Sequence, residues 1–346
     1  MSDYTANTTL NAIADRLRAA ARVMIATHAK PDGDAYGSVV ALGAALRSLD
    51  KQVDIPLIAP LPEQFRQLKG YELVRVYDGS PPAFEPDVIV VTDTGAWQQL
   101  PELKPYIQPR LSGTIVIDHH LSGDMQVAWR YIDSQAASCC EVIWQLLDGV
   151  LFVGDRPPAD PWAQIIHEAL FVGIASDTGW FRFSNTRPLT HELAADLIRR
   201  GVDHSRLYQK LEMNERPEKL ALMIRALDSL RMVAGGRAAV MVLGPDDFNA
   251  VGAIAQDTER FVDMPQIVGT IQVVALVTHP PGDDGPVRIS FRSKPGEGAV
   301  NVAELAHQFG GGGHARAAGA KVRGRLQEVA ARVCRALERA LIQQAV

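Results

Sequence analysis

The sequence predicts an α/β protein with a mostly parallel-sheet domain over residues 1–190, a helical connector over 191–232 and a smaller α/β domain over 233–346. Three observations lead there. Up to about residue 190, short β-rich runs alternate with helical stretches, the pattern of a parallel sheet with helices on its faces. Residues 190–232 are helical in period and heavily charged, and beyond them strand-like runs recur before a long closing helix. At 346 residues the chain also exceeds the roughly 100–200 residues of a typical domain, which favours two.

The elements follow in order. Leu10, Ile13 and Leu17 recur at helical spacing with Asp15 and Arg16 between them, so this stretch lacks the uninterrupted apolar core of a signal peptide. Val23-Met24-Ile25-Ala26 reads as a strand leading to His28, Asp32 and Asp34. Residues 36–49, rich in Ala, Val and Leu, read as the crossover helix of a βαβ unit. Asp87-Val88-Ile89-Val90-Val91 leads to Asp93, and Thr114-Ile115-Val116-Ile117 leads to Asp118-His119-His120. A longer apolar stretch precedes Ser176-Asp177-Thr178. In the connector, Leu193, Leu197, Leu207, Leu211, Leu220 and Leu227 are the expected packing positions. Residues 238–243, 267–278 and 287–291 read as strands, and Val329, Val333, Leu337 and Leu341 form a four-residue stripe that should pack a final helix on them.

Composition narrows the function. Hydrophobic residues at 47% and charged residues at 22% are ordinary for a globular protein. A net charge of −5 argues against tight binding of long duplex nucleic acid, which needs many phosphate contacts from Lys and Arg. Residues 287–346 carry ten Lys and Arg against four Asp and Glu, so this segment is +6 and the remainder −11, an acidic body with a basic end. Three cysteines, two of them adjacent at Cys139 and Cys140, make neither a disulfide framework nor a zinc pattern. A reduced, cytoplasmic protein is the expectation, and no apolar run approaches the roughly 20 residues of a membrane span.

In an open α/β sheet, ligands gather beyond the carboxyl ends of the strands, so four distant acidic and His-bearing clusters can meet. His28, Asp32, Asp34, Asp93, His119 and Asp177 are too many donors for one ion but suit two divalent ions that share a carboxylate. Paired ions of this kind serve displacement at phosphorus. Asp32 and Asp34 flank a glycine, so one tight loop could direct a carboxylate to each ion. Asp-Gly-Asp in isolation is also an ordinary turn, and Asp118-His119-His120 an ordinary strand end. Four such clusters in one chain favour the metal reading.

His28-Ala29-Lys30-Pro31-Asp32-Gly33-Asp34-Ala35, Asp93, Asp118-His119-His120 and Asp177 resemble the four motifs of the DHH phosphoesterase superfamily. The resemblance implies two Mn²⁺ ions, with Mg²⁺ or Co²⁺ as alternatives. It implies that His28 and Asp32 hold one, that Asp34, His119 and Asp177 hold the other, and that Asp93 bridges them. His120 would contact the scissile phosphate or protonate the leaving oxygen, and Asp118 would orient an imidazole.

A second signal lies at Phe309-Gly310-Gly311-Gly312-Gly313-His314, followed by Ala315-Arg316-Ala317-Ala318-Gly319, which reads as the start of a small-residue helix. Consecutive glycines let a backbone approach a ligand and offer N–H groups to an anion. Upstream, Ser290-Phe291-Arg292-Ser293 closes a strand with a guanidinium suited to bidentate phosphate binding. With Asn301-Val302-Ala303-Glu304-Leu305-Ala306, these residues resemble the DHH-associated C-terminal domain of NrnA-type oligoribonucleases and RecJ. By that match, Arg292, Ser293, Gly311, Gly312, Gly313 and His314 bind substrate. The resemblance implies a phosphodiesterase that cuts short oligoribonucleotides to mononucleotides and also acts on 3′-phosphoadenosine 5′-phosphate, with a homodimer as the expected assembly. Rival readings are a cyclic or linear di-AMP phosphodiesterase, a RecJ-like single-strand exonuclease and a non-hydrolysing nucleotide sensor. Trp180, Phe181 and Phe183 follow the last cluster and could stack on a base, although aromatics so closely spaced are more often core.

Overall fold

The computed structural model describes residues 4–152, 158–282, 285–296 and 299–343. The chain divides into two units, Met1–Asn214 and Glu215–Val346. In the first unit the elements are α1 (Leu10–Ala19), β1 (Arg22–Ala26), α2 (Gly33–Arg47), β2 (Gln52–Asp54), β3 (Pro56–Leu57), β4 (Arg75–Val76), β5 (Val88–Thr92), α3 (Lys104–Ile107), β6 (Thr114–Asp118), β7 (Trp129–Ile132), α4 (Cys139–Leu146), α5 (Trp162–Asp177), α6 (Pro188–Arg199) and α7 (His204–Glu212). Its main sheet runs β2-β1-β5-β6-β7, every pair parallel.

Burial explains the strand sequences. Val88–Thr92 and Thr114–Asp118 are buried along their whole length, as continuous Val and Ile runs should be when both faces of a parallel sheet are covered. Val23, Ile25, Val90, Ile115 and Ile117 face the layer that holds α1, α2, α4 and α5. Met24, Ala26, Ile89, Val91 and Val116 face the other, with Leu100, Leu103 and Ile107. Each large side chain so buried contributes about 1.5–3 kcal/mol, which anchors the strand ends.

The first helix after the sheet's lead strand is buried from Gly33 through Leu46. It begins at Gly33, ahead of the expected residue 36, because Asp32 caps it: Oδ1 accepts from Asp34 N and Ala35 N, each at 3.0 Å. It packs against α5 with almost no side chain between. A Cβ on Gly37 would lie 2.4 Å from Ala169 O, and one on Gly173 would lie 2.2 Å from Cys140 Sγ and 2.6 Å from Asp34 Oδ1. These two glycines set the helix separation that brings Asp34 toward the end of α5 at Asp177.

The stretch expected to be a separate connector is shared between the units. Leu193, Leu197 and Leu207 on α6 and α7 enter the first core, and Leu211 packs at its edge. Next comes α8 (Pro217–Asp228), which belongs to the second unit and buries Leu222 and Ala226 there. The expected packing residues Leu220 and Leu227 are exposed. A leucine period marks a helix but does not say which face meets a partner.

The second unit continues with β8 (Arg231–Val233), β9 (Ala238–Leu243), α9 (Pro245–Val251), β10 (Val273–Thr278), β11 (Val287–Ser293), α10 (Val302–His307), β12 (Gly312–His314), β13 (Ala317–Val322) and α11 (Leu326–Gln343). Its sheet order is β12-β13-β11-β10-β9-β8, with β9 and β10 parallel and the other pairs antiparallel. Val329, Val333, Leu337 and Leu341 are buried against it, as their spacing predicts. Two expectations need correction. The strand expected from residue 267 starts at Val273, because Phe261–Ile267 forms a 3₁₀ turn that leaves Ile267 exposed. Residues 317–322 form a strand instead of a helix start, since pairing with both β11 and β12 overrides the helix preference of alanine.

Candidate metal centre

The residues singled out in the first unit converge. His28 follows β1, Asp32 and Asp34 open α2, Asp93 follows β5, Asp118 ends β6 with His119 and His120 after it, and Asp177 ends α5. Donor atoms of His28, Asp32 and Asp93 lie within 4.8 Å of one another, as do those of Asp34, His119 and Asp177. Asp93 stands between the two groups, with one oxygen 3.4 Å from His28 Nε2 and the other 3.4 Å from His119 Nε2. His119 Nε2 is also 3.2 Å from Asp177 and 3.8 Å from Asp34.

Local structure aims these donors. Asp93 has a φ of 60°, a left-handed conformation that turns the chain off the strand, while its N–H still bonds Ile117 O at 3.0 Å. Such strain in a non-glycine residue persists only where its surroundings enforce it. The histidines are oriented by acceptors. His28 Nδ1 donates to Ala29 O at 3.0 Å and His119 Nδ1 to Ala136 O at 3.4 Å, and because a carbonyl only accepts, Nε2 is the nitrogen that each ring turns toward the cluster. His120 Nδ1 is committed to Asp118 Oδ1 at 2.7 Å.

Asp34 is fully buried and receives the first N–H groups of α4, from Cys139 at 2.6 Å and Cys140 at 2.9 Å. Ser138 caps that helix by accepting from Glu141 N, and the Glu141 carboxylate pairs with Arg187. Neither Glu141 nor Arg187 was anticipated as part of the site's support. The Ser138-x-x-Glu141 pattern was the available signal for the helix start. The Cys139 and Cys140 thiols are pushed well up by burial and then by the Asp34 charge, so they stay protonated.

The electrostatics report an excess of negative charge. Burial, and then the charges of Asp93 and Asp177, raise Asp34 well above the usual carboxylate range. Burial and Asp93 push Asp177 up to about 7. Burial opposes the charged forms of His28 and His119, but the adjoining carboxylates outweigh it and push them up to about 9 and about 10. Burial would raise Asp93, yet His119 and His28 hold it down to about 2. Buried Asp93 Oδ1 and His119 Nε2 have no hydrogen-bond partner. Orphaned donors amid mutually repelling carboxylates, in a mixed oxygen and imidazole set, fit divalent cations.

The substrate residues expected in the second unit lie around β11 and β12. The Arg292 guanidinium bonds Asp263 at 2.9 Å, and Ser293 donates weakly to Ala315 O at 3.4 Å. A Cβ on Gly311 would lie 2.1 Å from Gly319 O, and one on Gly313, where φ is 143°, would lie 2.6 Å from Ala317 O. Those two glycines are therefore required for strand packing, while Gly312 is not pressed by β13 and His314 is exposed. Trp180 and Phe181 pack against the first core, and Phe183 is exposed.

This fold and cluster define a class. The chain belongs to the DHH family of phosphoester hydrolases: residues 22–174 match the DHH family, N-terminal domain, and residues 235–342 match the DHHA1 domain. Within that family it is similar to the bifunctional oligoribonuclease and PAP phosphatase NrnA of Thermus thermophilus, 30% identical over 87% of this chain and 84% of that protein. The NrnA of Bacillus subtilis, with the same description, is 26% identical over 87% of this chain and 89% of that protein. The crystal structure of an exopolyphosphatase-related protein from Bacteroides fragilis shares the fold, with a TM-score of 0.85, 23% identity and 97% of each chain covered. Among the described residues no helix is long and apolar enough to cross a membrane.

Proposed function

We propose that this protein is a cytoplasmic phosphodiesterase that hydrolyses short oligoribonucleotides to mononucleotides and removes the 3′-phosphate of 3′-phosphoadenosine 5′-phosphate. The observation that carries the reading is the convergence of six donors into two groups about Asp93, together with the similarity to NrnA over most of the chain. His28 and Asp32 are assigned to one divalent ion, Asp34, His119 and Asp177 to a second, and Asp93 to both. Mn²⁺ suits the donor set best, with Mg²⁺ and Co²⁺ as alternatives. When bound, such ions supply activation of the nucleophile and offset the charge that develops at phosphorus.

The chain's own groups do the rest. His120, held by Asp118, protonates the leaving ribose oxygen as the P–O bond breaks. The α4 N–H groups fix the Asp34 carboxylate, and the carbonyls of Ala29 and Ala136 fix the two ligating imidazoles. Arg292, Ser293, Gly311, Gly312, Gly313 and His314 are assigned to a phosphate or base of the substrate. Arg292 must share or exchange its Asp263 partner to do so.

The test is one turnover panel with Mn²⁺, comparing a 5′-phosphorylated RNA dinucleotide, 3′-phosphoadenosine 5′-phosphate, cyclic di-AMP, pyrophosphate and a long single-stranded DNA. Release of mononucleotides from the dinucleotide, lost in Asp93→Asn, is the expected result. Activity confined to cyclic di-AMP, pyrophosphate or the long strand would overturn the substrate and leave the metal centre standing.

A further inference from the structure

A tyrosine far from every motif touches the catalytic end of the sheet. Tyr4 Oη donates to Asp118 Oδ2 at 2.6 Å. The other oxygen of that carboxylate accepts from His119 N at 2.8 Å, His120 N at 3.2 Å and His120 Nδ1 at 2.7 Å. Asp118 is fully buried, so its two oxygens depend on these protein donors. One oxygen holds the histidine and the other is held by the phenol.

The seat for Tyr4 is shaped for it. A Cβ on Gly95 would lie 1.9 Å from Tyr4 Oη, and one on Gly123 would lie 2.4 Å from its ring, so a side chain at either position would collide with the tyrosine. The same segment is pinned along its length. Asn7 N bonds Arg130 O at 2.8 Å, Arg130 N bonds Asn7 Oδ1 at 2.7 Å, and Asn7 Nδ2 bonds Val127 O at 3.1 Å. Arg130 Nε reaches Thr5 O at 2.9 Å, and its guanidinium lies 5.3 Å from the Tyr4 ring centroid. Burial, then the Asp118 charge, raise the phenol above its ordinary value, so it keeps the proton it donates.

We propose that Tyr4 is a positioning residue for phosphoester cleavage, fixing the plane of the Asp118 carboxylate so that its second oxygen aims the His120 ring. This rests on the hydrolase reading above, in which His120 supplies a proton to the leaving oxygen. A ring pivoting about a loosely held carboxylate would lose alignment with that oxygen, and misplacement of a reacting group is costly in rate. The cost appears only where the leaving group needs the proton. An alkoxide does, and p-nitrophenolate does not.

The test compares Tyr4→Phe with the wild-type chain in Mn²⁺ on two substrates, a 5′-phosphorylated RNA dinucleotide and the p-nitrophenyl ester of a nucleoside 5′-monophosphate. Phenylalanine keeps the ring between Gly95 and Gly123 and removes only the hydroxyl. The expected result is a loss of kcat of about tenfold on the dinucleotide with KM unchanged, and unchanged kcat on the aryl ester. Equal losses on both substrates would make Tyr4 a merely structural residue and overturn the proposal. So would no loss on either. A second readout is independent of turnover. The His120 Nδ1–H resonance, assigned by its absence in His120→Gln, should shift or broaden in Tyr4→Phe, and an unchanged resonance refutes the positioning. Wild-type protein inactive on the dinucleotide would sink the short-oligoribonucleotide reading, and the ring spectrum would still decide whether Tyr4 orients His120.

Discussion

The two ends of β5 treat an aspartate in opposite ways. At its start, Asp87 accepts from the Arg22 guanidinium at 2.7 Å and from Ala21 N and Arg22 N at 3.0 and 2.9 Å, all at the exposed N-terminal ends of β1 and β5. At its finish, Asp93 is buried, sits in a strained conformation and keeps one oxygen without a partner. The first end neutralises its charge with the chain's own cation. The second gathers Asp32, Asp34 and Asp177 around Asp93, with the imidazoles of His28 and His119 facing them. The excess at one end, beside satisfaction at the other, shows that the deficit is local and suited to a cation supplied from outside.

The largest expected effect breaks the deficient end. Asp93→Asn should lower kcat on the dinucleotide by about 10³-fold or more, because the residue proposed to share both ions loses its charge. The chain should still fold, since asparagine tolerates the left-handed conformation well. Added Mn²⁺ should raise the melting temperature of the wild type and much less that of the variant. Normal turnover by Asp93→Asn would remove Asp93 from the centre.

Next comes Gly173→Ala, which leaves every donor in place and spoils their support. The added methyl would press on Cys140 Sγ and Asp34 Oδ1, and overpacking of this kind costs about 1–3 kcal/mol. Chemical denaturation should show that loss, and calorimetry should show weaker Mn²⁺ binding. Full Mn²⁺ affinity would mean that the approach of α2 to α5 does not tune the site.

A smaller effect lies in the second sheet, where β11 alternates buried and more exposed residues and carries Arg292 at one of the less buried positions. Arg292→Ala should raise KM for the dinucleotide about tenfold and leave kcat nearly unchanged. A fall in kcat alone would assign Arg292 to the transition state.

The smallest effect tests the satisfied end. The Arg22 guanidinium and two backbone N–H groups hold Asp87 down to about 2. A depressed carboxylate contributes stability above its ordinary pKa and loses it as pH falls through the folded value. Wild-type stability should therefore drop between about pH 4 and pH 2, and Asp87→Asn should flatten part of that drop while costing little at neutral pH. An identical acid limb in the variant would show that Asp87 contributes nothing there.

Much of this was legible because each singled-out donor lies within two residues of a strand or helix end. Apolar runs that end in Asp93 and in Asp118-His119-His120 announce both the element and the edge where its polar groups collect. Other features had no local signature. Tyr4 meets Asp118 across 114 residues, and Cys139 N meets Asp34 across 105. The glycines at 311 and 313 looked like a ligand cradle, yet strand packing already requires them. Residues 317–322 have the composition of a helix and adopt a strand because partners on both sides supply their hydrogen bonds.

By itself the sequence determined the α/β class, the candidate donors and their order along the chain, since hydrophobic period and strand-end chemistry are local properties. Tertiary structure alone decided which of them share a neighbourhood, which nitrogen of each histidine faces the cluster and which leucines meet a core. Those outcomes depend on the separation of α2 and α5, the first turn of α4 and the seat of Tyr4, each of which joins residues whose distance in sequence carries no trace of their distance in space.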